Sequence, residues 1–315
     1  MNCVLCDKKI ERYIFSGHKK RNKGFYCDRK CYLEHINRDK IENSNYFQNI
    51  DDENKAYWLG FIAADGSLNK NGISMQIGLS IKDKNHLIKM GKIFDKEVVD
   101  YVSKRHNKSH KACRLCVSSK TNWNNLNRLG VNVNKTFEKE NNLFKNIPQK
   151  HVRHFIRGYF DGDGCIYVSK DRKNICTFSM VGSPYFIYEV KSYLIKELGL
   201  SDTKLESRDN CVVLRWTGRV QCGKMHKYLY KDASVFLERK KKKFDSCFVP
   251  NSKSSLYRGV SWHKNNNKWL SSLHHDGKRL NLGYYDNEKD AALAYDRALL
   301  KYNKPKYKLN LVECN

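Results

Sequence analysis

The fold of this chain is decided by a stretch that occurs twice, AYWLGFIAADGSL at residues 56–68 and HFIRGYFDGDGCI at residues 154–166. In both copies an apolar run leads to an Asp-Gly pair, so that Gly60 corresponds to Gly158 and Asp65 to Asp163. Such internal self-similarity indicates two structural units of the same kind within one chain.

Similar helical and strand patterns follow each copy. Residues 73–80 and residues 176–180 alternate apolar with polar side chains, which is typical of a strand with one buried face. Further patterns complete the halves, with helical residues 86–94 and 186–200 and strand residues 114–119 and 211–218. We predict the order α-β-β-α-β-β-α in each half and an α+β fold with a pseudo-twofold pair of halves.

Both motif runs are predicted to be helices that end at the aspartate. Asp51 and Asp52 mark the first turn of one helix, and Pro148 lies near the start of the other. We expect Gly66 and Gly164, which follow the aspartates, to adopt the left-handed conformation that commonly ends a helix.

Small residues recur four positions apart in both helices: Gly60 and Ala64 in the first, Gly158 and Gly162 in the second. Helix faces that carry only small side chains allow two helix backbones to approach closely. The two aspartates would then meet at the same end, where the helix dipole disfavours negative charge. Because two close carboxylates repel each other, the pattern predicts a divalent metal between them.

Asp161 differs from its neighbour Asp163. It points about 200° away around the helix, and its counterpart in the first copy is Ala63. We therefore assign Asp161 to helix capping or to a surface contact.

The charge of the chain favours a long polyanionic partner. There are 60 Lys and Arg residues against 33 Asp and Glu, a net charge of +27 that is spread over every region. The sequence contains no run of 18 apolar residues, so it predicts no membrane span. The first residues lack the apolar core of a secretory signal, so we read the twelve cysteines as reduced thiols of an intracellular protein.

The two motif copies resemble the LAGLIDADG motif of single-chain homing endonucleases, over about residues 51–247. The resemblance implies that Asp65 and Asp163 bind catalytic Mg²⁺, together with Ala64 and Gly162, and that each aspartate serves the cutting of one strand of double-stranded DNA. It also implies a basic residue late in each half, for which Lys135 and Lys240 are the candidates, although their spacing from the aspartates is unequal.

In that family the polar faces of the two sheets form a saddle over the DNA major groove. Arginine and glutamine side chains can form paired hydrogen bonds to base edges. The candidate DNA-binding residues on these faces are Ser74, Gln76, Arg114, Thr177, Ser179 and Arg215.

Four cysteines near the N-terminus form two closely spaced pairs, Cys3 with Cys6 and Cys27 with Cys31. Paired thiolates suit tetrahedral Zn²⁺, and a polar stretch this short needs such a constraint to fold. His18 or His35 could replace one cysteine. Cys113 and Cys116, in contrast, lie in a strand pattern and are assigned to packing.

Residues 257–308 show a second resemblance. The segments RGVSW, KW, LGYY and DAALAYD resemble the plant Apetala/ethylene-response-factor DNA-binding domain, which implies three strands, a helix at residues 287–302 and a sheet in the major groove. The DNA-contacting positions carried over from the family are Arg258, Trp262, Lys268, Trp269 and Arg279. Packing between sheet and helix is an equal alternative for Trp269.

These observations predict a homing endonuclease that acts as a monomer with internal pseudo-twofold symmetry. Its expected divisions are a zinc module at 1–40, an endonuclease domain at 51–247 with halves at about 51–147 and 148–247, and an Apetala-like domain at 257–312. A catalytically inactive DNA-binding regulator or an RNA-binding maturase are the alternatives. Retention of both aspartates argues against the first, and the Apetala-like segment argues against the second.

Overall fold

The computed structural model describes residues 2–10, 25–32, 45–105, 108–131, 143–169, 175–248, 255 and 257–311. Its first half contains α1 (Glu53–Asp65), β1 (Gly66–Leu68), β2 (Ser74–Ser80), α2 (Lys84–Ile93), β3 (Val99–Arg105), β4 (Lys108–Ser118) and α3 (Lys120–Arg128). Its second half contains α4 (Val152–Asp163), β5 (Gly164–Ser169), β6 (Ile175–Gly182), α5 (Pro184–Leu198), β7 (Glu206–Arg208), β8 (Cys211–Thr217), α6 (Arg219–Tyr230) and α7 (Glu238–Asp245).

The predicted order of elements is confirmed in both halves, and the second half has one further helix, α7, after it. Each half forms a four-stranded antiparallel sheet, in the order β1-β2-β4-β3 in one and β5-β6-β8-β7 in the other. The strand that follows each motif helix therefore occupies the same edge position. The two sheets have the same topology, as the sequence repeat requires.

The motif helices α1 and α4 lie in the centre of one large apolar core. Residues 56–63 of α1 are all buried, and α4 is buried almost continuously from Phe155 to Asp161. A helix that is apolar on all sides belongs in the interior. This describes α1, whereas α4 also buries two charged side chains, Arg157 and Asp161.

The expected conformation of the two glycines after the helices is wrong. Gly66 has φ −79° and ψ 160°, and Gly164 has φ −89° and ψ 161°, so both are extended and begin strands. Their lack of a side chain serves close packing instead. A Cβ atom on Gly66 would lie 2.7 Å from the Ile62 side chain, and one on Gly164 would lie 2.1 Å from the Phe160 ring.

The C-terminal unit has three antiparallel strands, β9 (Val260–His263), β10 (Lys268–His275) and β11 (Lys278–Tyr285), and one helix, α8 (Glu288–Lys301). The helix packs on the sheet through Ala291, Ala292 and Tyr295. Gly259 has φ +73° and lies under the Tyr295 ring. A Cβ atom on Gly259 would lie 2.1 Å from that ring. Only glycine satisfies both the positive φ and the close approach.

Among the residues that the structure describes, no helix has the length and apolarity needed to cross a membrane.

Candidate active site

The two motif helices touch through their backbones. A Cβ atom on Gly60 would lie 2.1 Å from the carbonyl oxygen of Phe155, and one on Gly158 would lie 1.9 Å from that of Tyr57. No side chain can be accommodated at such distances. The four-residue spacing of small residues thus sets how closely α1 and α4 approach each other.

This approach brings Asp65 and Asp163 to the same end of the helix pair. A Cβ atom on Gly162 would lie 3.3 Å from Oδ2 of Asp65, so the Asp65 carboxylate lies against the backbone beside Asp163. Burial raises the pKa of Tyr159, and the negative charges of Asp163 and Asp65 raise it further. Both carboxylates therefore act on one phenol, as expected for two acids at one site.

Lys240 reaches this site from α7. Its side chain is buried, and its Nζ donates to the carbonyl oxygens of Phe160 at 2.8 Å and Gly162 at 2.6 Å. Burial lowers the pKa of Lys240 to about 8, while the negative charges of Asp161, Asp65 and Asp163 oppose that effect. The ammonium group thus binds the carboxyl end of α4, where the helix dipole favours a cation. The other predicted basic residue, Lys135, lies outside the described residues.

The assignment of Asp161 to a cap or a surface contact is wrong. Its side chain is 1% exposed and accepts hydrogen bonds from the hydroxyl groups of Tyr57 and Tyr230 and from the backbone N–H of Leu237. Burial raises the pKa of Asp161, and the three hydrogen bonds oppose that rise. The helical angle is as expected, but the direction away from Asp163 leads into the core rather than to solvent.

The predicted reading positions of the first sheet lie on its open face. Gln76 alternates with the buried Met75 and Ile77 along β2, and Ser74 lies two residues from Gln76 on the same face. Arg114 pairs opposite Gly78 and extends over the Tyr101 ring, with its guanidinium carbon 5.5 Å from the ring centroid.

In the second sheet, Ser179 and Arg215 lie opposite each other on β6 and β8, and Thr177 lies on the same face. All three side chains already have protein partners, and the Ser179 hydroxyl donates to the carbonyl oxygen of Cys165 at 3.4 Å. Arg215 forms an ion pair with Glu206, and the Thr177 hydroxyl lies 3.1 Å from that of Thr217. The two faces therefore differ, because the arginine of the second is held by a carboxylate while Arg114 stacks on an aromatic ring.

Comparison with known proteins identifies two parts of the chain. Residues 150–222 match the family described as LAGLIDADG-like domain, and residues 255–305 match the family described as AP2 domain. The chain contains a LAGLIDADG-like domain and an AP2 domain.

The AP2 domain also has curated relatives. An AP2-like ethylene-responsive transcription factor of Arabidopsis thaliana, TOE2, is 41% identical over 63 residues, which are 20% of this chain and 13% of that protein. APETALA2-like protein 2 of Oryza sativa subsp. japonica is 43% identical over 53 residues, or 17% of this chain and 12% of that protein. The chain thus spans only about an eighth of these relatives.

Two solved structures of homing endonucleases are similar to this chain. I-WcaI, bound to its DNA recognition sequence, has a TM-score of 0.49 and 13% identity, covering 66% of this chain and 91% of that one. I-LtrWI, bound to target DNA, has a TM-score of 0.41 and 14% identity, covering 66% and 89%.

In the AP2 domain, the candidate DNA-contacting residues lie on two different faces of the sheet. Trp262 lies opposite Trp269 in the sheet, their ring centroids are 5.2 Å apart, and Trp269 packs on the core beneath α8. Both tryptophans are therefore on the helix side. Lys268 and Arg279 fall on the other face, where Nε of Arg279 donates to the Ser272 hydroxyl. Packing thus accounts for Trp269, which sequence alone could not decide.

Arg258 precedes β9 and is held through its backbone. Its N–H donates to Oδ1 of Asn310, and its carbonyl oxygen accepts from the amide nitrogen of the same side chain. Asp296 on α8 accepts from the backbone N–H groups of Asn310 and Leu311. The segment after the helix therefore fixes the residue that enters the sheet.

The four N-terminal cysteines converge. Their Sγ atoms all lie within 4.8 Å of one another, and those of Cys6, Cys27 and Cys31 are 3.5–3.7 Å apart. Four thiolates at 2.3 Å from one tetrahedral zinc ion would be separated by about 3.8 Å. The donor set fits zinc, whereas His18 and His35 lie outside the described residues. Cys113 is buried and Cys116 is exposed on the opposite face of β4.

Sequence reasoning missed the polar residues that join the two halves. Arg157 is fully buried in α4 and donates to Glu53 of α1 at 2.6 Å. Arg239 of α7 binds both carboxylate oxygens of Asp83 in the first half. The one signal for such a link in the sequence is an arginine inside an apolar run, as Arg157 is, since such a residue is rarely buried without a partner.

Proposed function

We propose that this chain is a site-specific homing endonuclease that hydrolyses both strands of double-stranded DNA in a reaction that depends on a divalent metal. The observation that carries the proposal is the meeting of Asp65 and Asp163 at the joined ends of two helices that touch through glycine. The LAGLIDADG-like match and the net charge of +27 support it. A polar site of this kind inside a basic protein suits a phosphodiester substrate.

The donor atoms suit Mg²⁺. Asp65 and Asp163 offer carboxylate oxygens, and Ala64 and Gly162 offer backbone carbonyl oxygens, all of them hard ligands. Gly162 accepts from Lys240, but a carbonyl oxygen has a second lone pair. When bound, the metal would supply an activated water and stabilise the oxygen that leaves phosphorus.

The protein groups have separate tasks in this proposal. Asp65 and Asp163 each serve one strand, and Lys240 places a positive charge beside the site where phosphate charge develops. The open sheet faces bind the duplex through Ser74, Gln76, Arg114, Thr177, Ser179 and Arg215. A zinc-binding module at residues 1–40 and the AP2 domain at 257–312, through Lys268 and Arg279, extend the contact with DNA.

The test is cleavage of a pool of randomised or genomic duplex DNA with Mg²⁺, followed by sequencing of the ends. Each strand is labelled separately, and wild type is compared with Asp65→Asn and Asp163→Asn. We expect each variant to lose cutting of one strand by at least about 100-fold. Binding measured with Ca²⁺ in place of Mg²⁺ should change little. If both variants cut both strands at the wild-type rate, the aspartates are not the site.

The regulator alternative has one observation in its favour, the likeness of the AP2 domain to transcription factors. It predicts selective binding of a duplex without any cutting. Wild-type protein that selects a sequence, but leaves it intact at every divalent metal tried, would favour the regulator.

Zinc is tested separately from cleavage. We expect one zinc ion per chain by elemental analysis, lost in Cys27→Ser and kept in Cys116→Ser, which removes an exposed thiol of the β4 strand. Reduced wild-type protein without zinc would contradict the assignment of the four cysteines.

A further inference from the structure

We propose that Asp161 is a positioning residue that fixes Lys240 beside Asp65 and Asp163, and that efficient cutting of one DNA strand depends on it. The claim that Asp161 positions Lys240 is supported by geometry alone. The claim that cutting of one strand depends on Asp161 rests on the proposed function.

Three donors from three different helical segments converge on the Asp161 carboxylate. Oδ2 accepts from the Tyr57 hydroxyl at 2.8 Å and from the Leu237 N–H at 2.7 Å, and Oδ1 accepts from the Tyr230 hydroxyl at 2.7 Å. Because the Tyr57 proton points to Asp161, Nε2 of His86, 2.9 Å away, is the donor to the Tyr57 oxygen. All three groups around Asp161 are donors, which suits a buried carboxylate because an ionised carboxylate can only accept hydrogen bonds.

The Leu237 contact links Asp161 to Lys240. Leu237 is the capping residue directly before α7, and the backbone N–H of Lys240 donates to its carbonyl oxygen at 3.0 Å. Lys240 then extends back to α4, where its Nζ binds the carbonyl oxygens of Phe160 and Gly162. The start of α7 and its lysine are thus attached to the same few residues of α4, at 160–162.

A second anchor holds the same turn of α7 from the other half. Arg239, next to Lys240, binds both oxygens of Asp83 at 3.1 and 2.8 Å. Arg239 is 56% exposed and Asp83 is buried, so this anchor lies nearer to solvent than the Asp161 contact. The first half cannot repeat the buried anchor, because Ala63 stands where the second half has Asp161.

The first experiment measures position without any cleavage. Lysine amines of the full-length protein are acetylated briefly with acetic anhydride, and peptides are quantified by mass spectrometry. Lys242 and Lys243, which are exposed on the same helix, serve as internal references. We expect Lys240 to react slowly in wild type and about 10-fold faster in Asp161→Ala, since an anchored and buried amine becomes accessible.

Two further variants separate position from folding. Asp161→Asn keeps an oxygen for the Leu237 N–H, and its NH₂ group can donate to Tyr230, whose hydroxyl can also accept. We expect its Lys240 reactivity to stay within about twofold of wild type. Tyr230→Phe removes one donor and retains the carboxylate, and should give an increase of about two- to threefold.

The second experiment measures cutting of each labelled strand under single-turnover conditions. Lys240→Met and Asp161→Ala should slow the same strand, by about 100-fold for the lysine variant, and the double variant should be no slower than Lys240→Met alone. Lys242→Met is the matched control and should cut both strands normally.

The outcomes are distinct. Unchanged Lys240 reactivity in both Asp161→Ala and Tyr230→Phe would overturn the positioning role, whatever the cleavage result. Equal slowing of both strands, or additive losses in the double variant, would overturn the link to one strand. A wild-type protein that cuts no DNA would overturn the proposed function and that link, and the reactivity of Lys240 would then decide the positioning role alone.

Discussion

The two motif helices share their ends but differ in the middle. Both finish with an aspartate, and both touch through glycine, at Gly60 and Gly158. Yet α4 carries the buried Arg157 and Asp161, and α1 has Leu59 and Ala63 at the corresponding positions. The partners of those charges come partly from α1, through Glu53 and Tyr57. Symmetry is thus kept at the site and lost in the groups that support it.

The glycine contact is the shared part, and breaking it should have the largest effect. Gly158→Ala places a Cβ atom 1.9 Å from a backbone oxygen that has no room to move. We expect the free energy of unfolding to fall by at least about 4 kcal/mol, measured by urea denaturation. Gly223→Ala is the control, because its nearest atom is 3.6 Å away in a helix where alanine is preferred. Equal stability of the two variants would contradict the close contact.

A pair of variants at Gly162 and Ala64 tests whether one methyl group can be moved from one motif helix to the other. Gly162 of α4 corresponds to Ala64 of α1, and a Cβ atom on Gly162 would lie 2.4 Å from the Cβ of Ala64. Gly162→Ala should cost about 2–3 kcal/mol. Adding Ala64→Gly should restore most of that loss, as seen by thermal unfolding. No recovery in the double variant would mean that the two positions do not share one space.

Removal of a carboxylate tests the asymmetric part. Glu53→Gln leaves Arg157 fully buried with a weaker partner, and should cost about 2 kcal/mol, less than a fully buried pair because Glu53 is partly exposed. Arg157→Leu in the Glu53→Gln background, which copies Leu59 of α1, should be no worse than Glu53→Gln alone. A much larger loss in the double variant would show that Arg157 contributes through its hydrogen bonds to the carbonyl oxygens of Val235 and Leu229 rather than through this pair.

The exposed link between the halves should matter least for stability. Arg239 is 56% exposed while its partner Asp83 is buried. Arg239→Met should lower the free energy of unfolding by about 1–2 kcal/mol, because Arg239 itself is exposed but the buried Asp83 carboxylate loses this partner, and the loss should shrink in high salt. The control is Lys89→Met, which removes a longer contact of 3.9 Å to Glu238. A cost above that of Glu53→Gln would reverse the order proposed for the two links.

Much of the fold could be predicted from local patterns. Alternation along residues 73–80 and 176–180 identifies strands, and the repeated apolar run with its aspartate identifies the central helices. The prediction for the glycines after those helices is wrong, because Gly66 and Gly164 are needed for contact with Ile62 and Phe160 rather than for a left-handed turn. A local pattern does not distinguish these two uses of glycine.

Motifs of fixed spacing in the sequence are sufficient to identify the two aspartates, the small residues that bring them together, the cysteine pairs and the AP2 segment. Folding in three dimensions was needed to establish the surroundings of Asp161, the side on which Trp262 and Trp269 lie, and the contact of Lys240 with α4. Those depend on groups such as Tyr57 and Tyr230 that are remote in the chain. The direction of a side chain follows from helical periodicity, but what it meets there depends on how distant segments pack.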